Sequence, residues 1–236
     1  MTQTIMLTPK SILSQYFGYD SFRDNQEEII DHILNGDDAL VIMPTGGGKS
    51  VCFQVPAMCL NGLTLVISPL LALMQDQVTN LKAIGIPAEA YNSMASESEL
   101  ADIRMKVRNQ EVKILYVSPE RLNTQNFYDF IKEIQLSLVA VDEAHCVSIW
   151  GNDFRSDYLS ISKFRETFFN VPFIALTATA DAVTQQDICN QLGLKKNKIF
   201  ISSFERKNIT ISVRQGLKRM EQIIQFIDEN EGSGII

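Results

Sequence analysis

Two short clusters carry the side chains best suited to chemistry: Gly46-Gly47-Gly48-Lys49-Ser50 and Asp142-Glu143-Ala144-His145. Successive glycines let backbone N–H groups approach an anion with no Cβ in the way, and a helix N-terminus behind them adds its own donors. Thr45 and Gly46 to Gly48 would cradle phosphates, Lys49 would reach the outer ones, and the Ser50 hydroxyl would help hold Mg²⁺. The acidic pair suits a division of labour. Asp142 would hold the cation, usually through water, while Glu143 orients or deprotonates a water attacking the outer phosphate. A glycine-rich turn and a solvated loop start are the plainer readings of the two clusters. One departure is visible in the first cluster: the usual spacing G-x-x-x-x-G-K-[ST] puts its leading glycine at position 43, where this chain has Met43.

Three further groups stand near these clusters. Tyr19, Arg23 and Gln26 lie upstream of the glycines, within a run that also holds Phe17 and Phe22. Glutamine can pair with adenine, and tyrosine or arginine can stack on its face; a helix corner with buried aromatics fits equally. Phe17 and Phe22 are expected in the core. His145 could relay between the nucleotide and another ligand, or could cap and pack. Thr177 and Thr179 offer hydroxyls to the same cleft, or a turn followed by a helix cap. The segment 147–158 holds the single tryptophan, Trp150, with Phe154, Arg155 and Tyr158. Aromatic faces beside a guanidinium suit stacked, unpaired bases, or an aromatic cluster closing the core.

These residues need elements that point them at one place. Short apolar runs predict strands over 40–43, 63–67, 88–91, 113–117, 138–141 and 173–176. Helical spacing predicts helices over 8–17, 23–35, 49–60, 70–83, 96–109, 124–134, 181–192 and 217–230. Thr8 with Pro9 reads as a helix start, Ser96 with Glu99 as a capping box, and Asp181 as a helix N-terminus. Leu73, Gln77 and Leu81 share a register on the 70–83 helix. Two short β-like runs fall within 199–213. Wholly apolar strands alternating with helices imply an α/β fold with a mostly parallel sheet covered on both faces. In such sheets ligands bind beyond the carboxyl ends of the strands. Gly46–Ser50, Ser68-Pro69, Ser118-Pro119, Asp142-Glu143 and Thr177–Thr179 all fall there.

The chain of 236 residues has 45% hydrophobic and 21% charged residues, an ordinary globular composition. No apolar run approaches the ~20 residues that span a bilayer, and residues 1–10 lack the pattern of a signal peptide. A cytoplasmic protein with no membrane partner is expected. Cys52, Cys59, Cys146 and Cys189 form no C-x-x-C pair and read as buried free thiols. The net charge of −7 argues against nucleic-acid binding through bulk charge, so any such contact must be local.

Pro44–Ser50, Asp142-Glu143-Ala144-His145 and Thr177-Ala178-Thr179 resemble the motifs of superfamily 2 helicases. The segments Phe17–Gln26 and Trp150–Tyr158 narrow the resemblance to the RecQ DNA helicases, with Val66–Val78 and Ser118-Pro119-Glu120-Arg121 also fitting. The resemblance covers nearly the whole chain. It implies a RecA-like P-loop domain and an ATP-dependent, Mg²⁺-requiring 3′ to 5′ DNA helicase. It further implies that Tyr19 and Arg23 sandwich adenine and that Gln26 hydrogen-bonds it. Gly47, Gly48, Lys49 and Ser50 would bind the phosphates and Mg²⁺. Trp150, Phe154 and Arg155 would sense single-stranded DNA, with His145 and Thr177–Thr179 coupling that contact to hydrolysis. Where the family's aromatic loop has histidine, this chain has Asn152, which can hydrogen-bond but cannot carry charge. The expected organisation is an adenine-recognition segment over 1–36, a first RecA-like domain over 37–214, and over 215–236 a linker helix leading into a second RecA-like domain absent from this chain. The expected partners are single-stranded and forked DNA and that second domain, and the expected state is a monomer. Alone, the chain is expected to bind nucleotide and not to unwind. A superfamily 2 RNA helicase and a truncated, non-catalytic nucleotide- or DNA-binding module are the alternatives.

Overall fold

The computed structural model describes residues 8–148, 158, 160–195, 198–203, 209, 212–213, 215–230 and 232. The chain divides into two compact units, residues 1–203 and 204–236. In the second unit the described element is a helix over Arg219–Glu229, started by a Lys218–Glu221 ion pair at 2.9 Å.

Among the described residues the first unit is built on seven strands: β1 Ala39–Ile42, β2 Leu63–Ile67, β3 Ala88–Tyr91, β4 Ile114–Val117, β5 Leu136–Val141, β6 Phe173–Thr177 and β7 Lys198–Ile201. They form one sheet in the order β3-β4-β2-β5-β6-β1-β7. Every pairing is parallel. All four residues of β1 and all five of β2 are buried, which is why these strands read as unbroken apolar runs.

Alternate residues of each strand feed opposite faces. Leu40, Ile42, Leu65, Ile67, Val139 and Val141 point into one cluster, and Ala39, Val41, Val66, Leu138, Ala140 and Ile174 into the other. Among the described residues ten helices follow in chain order: α1 Pro9–Ile12, α2 Gln26–Leu34, α3 Val51–Cys59, α4 Leu71–Ala83, α5 Glu97–Arg108, α6 Pro119–Leu122, α7 Gln125–Lys132, α8 Ser160–Thr167, α9 Ala182–Gln191 and, in the second unit, α10 Arg219–Glu229. Side chains of α5, α7, α8 and α9 cover the first face; those of α2, α3 and α4 cover the second. The α/β fold with helices on both faces is therefore as the apolar pattern implies. Helix α3 is apolar all round because it is wedged between the sheet and a small cluster of Ile12, Ile30 and Val55.

Several local features follow from side-chain chemistry. Thr8 Oγ1 accepts from Ser11 N–H at 3.2 Å and starts α1, which continues as a wider π-turn over Leu13–Phe17. Gly18, at φ 71°, ends it. Phe17 and Phe22 pack, partly buried, on the small cluster. Ser96 and Glu99 form the expected capping box at the start of α5. Within α4 the core face is Met74, Val78 and Leu81, so Leu73 and Gln77 do not share it; they face a cleft described below. The cysteines are free thiols, with Cys52, Cys146 and Cys189 buried. The second β-like run expected within 199–213 falls mostly outside the described residues. Among the described residues no helix is long and apolar enough to cross a membrane.

Helix α8, absent from the helices expected from sequence, buries Ile161 and Phe164 and supplies a buried ion pair. Arg165 donates to Asp38 Oδ2 at 2.7 Å and to Val171 O at 2.6 Å. The Asp38 carboxylate also accepts from Phe173 N–H at 2.8 Å and Lys195 N–H at 2.5 Å. One side chain thus ties together the amino ends of β1 and β6 and the approach to β7. Burial pushes the Asp38 carboxyl above its ordinary value, opposed by the backbone donors of Lys195 and Phe173 and by Arg165.

Candidate functional site

At the opposite, carboxyl edge of the sheet lies a cleft of about 380 Å³, large enough for a small-molecule ligand. Its walls bring together Tyr19, Arg23 and Gln26 from the amino-terminal segment, Thr45 to Ser50 after β1, and Asp142 and Glu143 after β5. Residues separated by more than a hundred positions converge because β1, β6 and β5 run side by side in parallel.

The glycine loop leaves β1 through Met43, which is 1% exposed and donates its N–H to Thr177 O at 3.1 Å. A residue at position 43 therefore extends the strand and has no need to be glycine. Gly46 and Gly48 both sit at φ 80°, the left-handed region that other residues enter at a cost. A Cβ on Gly48 would stand 2.4 Å from Gln26 Nε2, and one on Gly47 would stand 2.9 Å from Pro44 O. The loop is thus packed against its neighbours. Lys49 folds back over it, donating from Nζ to Met43 O at 3.0 Å and to Pro44 O at 3.5 Å.

Gln26 is 3% exposed and is fully engaged with the backbone. Its Oε1 accepts from Arg23 N–H at 2.9 Å and its Nε2 donates to Gly48 O at 3.1 Å. It joins the Tyr19–Arg23 segment to the glycine loop. The Arg23 guanidinium lies over the Tyr19 ring, 5.3 Å from its centroid. Tyr19 and Arg23 touch each other directly.

The acidic pair lines the same cleft, close enough to Lys49 to feel its charge. Glu143 N–H donates to Asp142 Oδ1 at 3.0 Å, and Asp142 N–H to Ile67 O at 2.8 Å. Glu143 adopts φ 48° and ψ 47°, a left-handed conformation uncommon for a non-glycine residue. The turn over Ala144–Val147 then brings His145 back towards Glu143. His145 Nδ1 lies 3.0 Å from Thr177 Oγ1 and 3.3 Å from Glu143 Oε2. The Thr177 hydroxyl donates to Thr179 O at 3.1 Å and accepts from Thr179 N–H at 3.3 Å. With its proton so placed, Thr177 must accept from His145, which puts a proton on Nδ1 and lets that N–H share the Glu143 carboxylate.

A profile of the DEAD/DEAH box helicase family matches residues 23–188. The chain belongs to the DEAD/DEAH box helicase family. Within that family it is 47% identical, over 97% of its length, to the ATP-dependent DNA helicase RecQ of Haemophilus influenzae, and spans 37% of that relative. It is 41% identical over 94% of its length to the ATP-dependent DNA helicase RecQ of Bacillus subtilis, spanning 38% of it. Among solved structures, the DUF1998 helicase MrfA shares the fold, with a TM-score of 0.68 over 97% of this chain and 41% of that one at 20% identity. The chain therefore spans well under half the length of each of these proteins.

Electrostatics of this helicase site follow from the same geometry. Burial, reinforced by the Glu143 carboxylate, pushes Asp142 up to about 6. The hydrogen bond from His145 holds Glu143 below its ordinary value. His145 is raised to about 10 by hydrogen bonds with Cys146 and with Glu143. The family implies a divalent cation here. Among the described residues no three His, Cys, Asp or Glu side chains gather as a cage. A hydroxyl and one strained carboxylate on the walls of a phosphate-sized cleft suit Mg²⁺, which keeps waters and takes phosphate oxygens. Ser50 and Asp142 fit that group.

Of the residues named from sequence, the cleft gathers Tyr19, Arg23, Gln26, Thr45, Gly46, Gly48, Lys49, Ser50, Asp142 and Glu143 on its walls. His145, Thr177 and Thr179 stand behind Glu143 as a hydrogen-bonded group. Trp150, Asn152, Phe154 and Arg155 lie outside the described residues. Two polar cleft residues had no site role assigned from sequence, Ser21 and Gln77. A glutamine at an inward-facing register of α4 was the available signal for the second.

Proposed function

We propose that this chain is the first motor domain of a RecQ-type ATP-dependent DNA helicase. The observation that carries the reading is 47% identity over nearly the whole chain to a RecQ helicase, joined to a cleft that holds the glycine loop and the acidic pair. Adenine enters between Tyr19 and Arg23, which part to admit it, and the Gln26 amide reads its edge. Lys49 leaves the Met43 and Pro44 carbonyls for the outer phosphates. Ser50 and Asp142 hold Mg²⁺, which when bound neutralises phosphate charge. Glu143, kept ionised by His145, orients the attacking water and accepts its proton.

His145 and the Thr177–Thr179 turn connect Glu143 to the carboxyl end of β6. Through them, DNA held by Trp150, Asn152, Phe154 and Arg155 influences hydrolysis. The partner is single-stranded or forked DNA, tracked 3′ to 5′ in the cytoplasm by a monomer. A second RecA-like domain supplies arginines that complete the ATP site, so residues 1–236 alone bind nucleotide without unwinding. Loss of such an arginine costs about 10³–10⁵ in rate.

The test is Lys49→Ala in a protein spanning both motor domains. Hydrolysis stimulated by single-stranded DNA should disappear; hydrolysis at the parental rate would overturn the assignment. Stimulation by RNA with none by DNA would move the protein to the RNA helicases of superfamily 2.

A further inference from the structure

Helix α4 turns one polar side chain, Gln77, into the cleft that Asp142 and Glu143 also line. Its Oε1 accepts from Gln54 Nε2 at 3.2 Å. Gln54 is 5% exposed on α3, one turn after Ser50, whose carbonyl accepts the Gln54 N–H at 2.9 Å. Behind Gln54 lies the Tyr116 phenol of β4, 1% exposed and beside the Gln54 amide. Two uncharged polar side chains, from α4 and α3, are therefore bonded to each other at the wall of the cleft. Buried amides and hydroxyls cost free energy unless their bonds are used, and an apolar α3 had no need of them.

The bond has a direction. Gln54 Nε2 donates to Gln77 Oε1, which turns the Gln77 NH₂ away from Gln54. Among the described residues Gln77 Nε2 has no hydrogen-bond partner, and the cleft lies before it.

We infer that Gln77 is a further nucleotide-site residue, whose amide N–H meets an anionic oxygen at the phosphate end of the ligand. Gln54 acts as the positioning residue that fixes the orientation of that amide. The inference rests on the reading of the cleft as an ATP site. It assigns α4 a direct contact with the ligand, in addition to packing on the sheet.

The experiment is equilibrium binding of MgATP and of adenosine to the 236-residue chain, with thermal melting of each variant alongside. Gln77→Met keeps length and packing but removes the donor. It should weaken MgATP by about tenfold, the scale of one hydrogen bond to a charged group, and leave adenosine binding unchanged, while the Gln54 amide that loses its acceptor lowers the melting temperature modestly. Gln77→Glu, close in shape but negative, should weaken MgATP further. Gln54→Met should reproduce part of the loss, and combining it with Gln77→Met should add nothing. MgATP binding by Gln77→Met within about twofold of the parent, with binding lost in Lys49→Ala, would overturn the inference alone. Equal losses for adenosine and MgATP would overturn it as well, by assigning Gln77 a packing role. Parental binding by Lys49→Ala would overturn the site reading and the inference together.

Discussion

Two aspartates mark opposite edges of the same sheet, and their surroundings differ in kind. Asp38, before β1, and Asp142, after β5, are both pushed above the ordinary carboxylate value, and in both burial is the leading cause. What comes next separates them. Around Asp38 every further influence favours the charge: two backbone donors, Arg165 and Lys195. Around Asp142 the next influence is another carboxylate, Glu143. One edge has closed its electrostatic circuit within the chain. The other holds like charges together beside Lys49, whose ammonium is turned onto the carbonyls of Met43 and Pro44. Buried charge that is matched internally serves the fold; buried charge left mismatched is an opening for a ligand.

The largest expected effect breaks the matched edge. Asp38→Ala leaves the Arg165 guanidinium buried without its carboxylate and frees the Phe173 and Lys195 N–H groups. It should cost about 3–5 kcal/mol in denaturant unfolding, the range for removing one partner of a buried pair. A cost near zero would remove the contrast between the edges.

The mismatched edge should respond with the opposite sign. Asp142 has a folded value of about 6 against 3.8 ordinarily, so the folded chain retains a proton that the unfolded chain has already released. That contribution is fully present below about 3.8 and is lost as the pH rises through about 6. Asp142→Asn should therefore be more stable than the parent above pH 6, by up to about 3 kcal/mol, with the gain vanishing near pH 4. A pH-independent difference would show that the carboxylate is not strained by its surroundings.

A smaller effect separates backbone from contact within the glycine loop. Gly46 and Gly48 share φ 80°, yet a Cβ on Gly46 meets nothing within 4 Å while one on Gly48 meets Gln26. Gly46→Ala should cost about 1–2 kcal/mol for the left-handed backbone alone. Gly48→Ala should cost more, and the excess should disappear in a Gln26→Ala background. The smallest change falls at neither edge: Ser96→Ala removes the α5 capping box and should cost about 1 kcal/mol with no change in nucleotide binding.

The two edges were unequally legible in the sequence. The carboxyl edge announces itself, because phosphate chemistry needs particular residues at short spacing and those follow apolar strands. Strands β1 and β2 were readable nearly to the residue because burial on both faces demands continuous apolar runs. The amino edge was silent. Asp38 and Arg165 stand 127 positions apart and no local rule links them. The Gln54–Gln77 bond was hidden for the same reason, since α3 and α4 meet only when the sheet has formed. Gln26 was noticed for its chemistry towards adenine, but its bonds to Arg23 and Gly48 depend on a turn whose shape the sequence does not spell out.

The left-handed backbone at Glu143 has a consequence for how this chain would drift under selection. The conformation suits glycine or asparagine better than glutamate. A library screened only for thermal tolerance should therefore accumulate glycine or asparagine at position 143, while a library screened for turnover should retain glutamate. Position 143 would then record which pressure acted, because the replacement easiest for the backbone removes the carboxylate proposed to orient the attacking water.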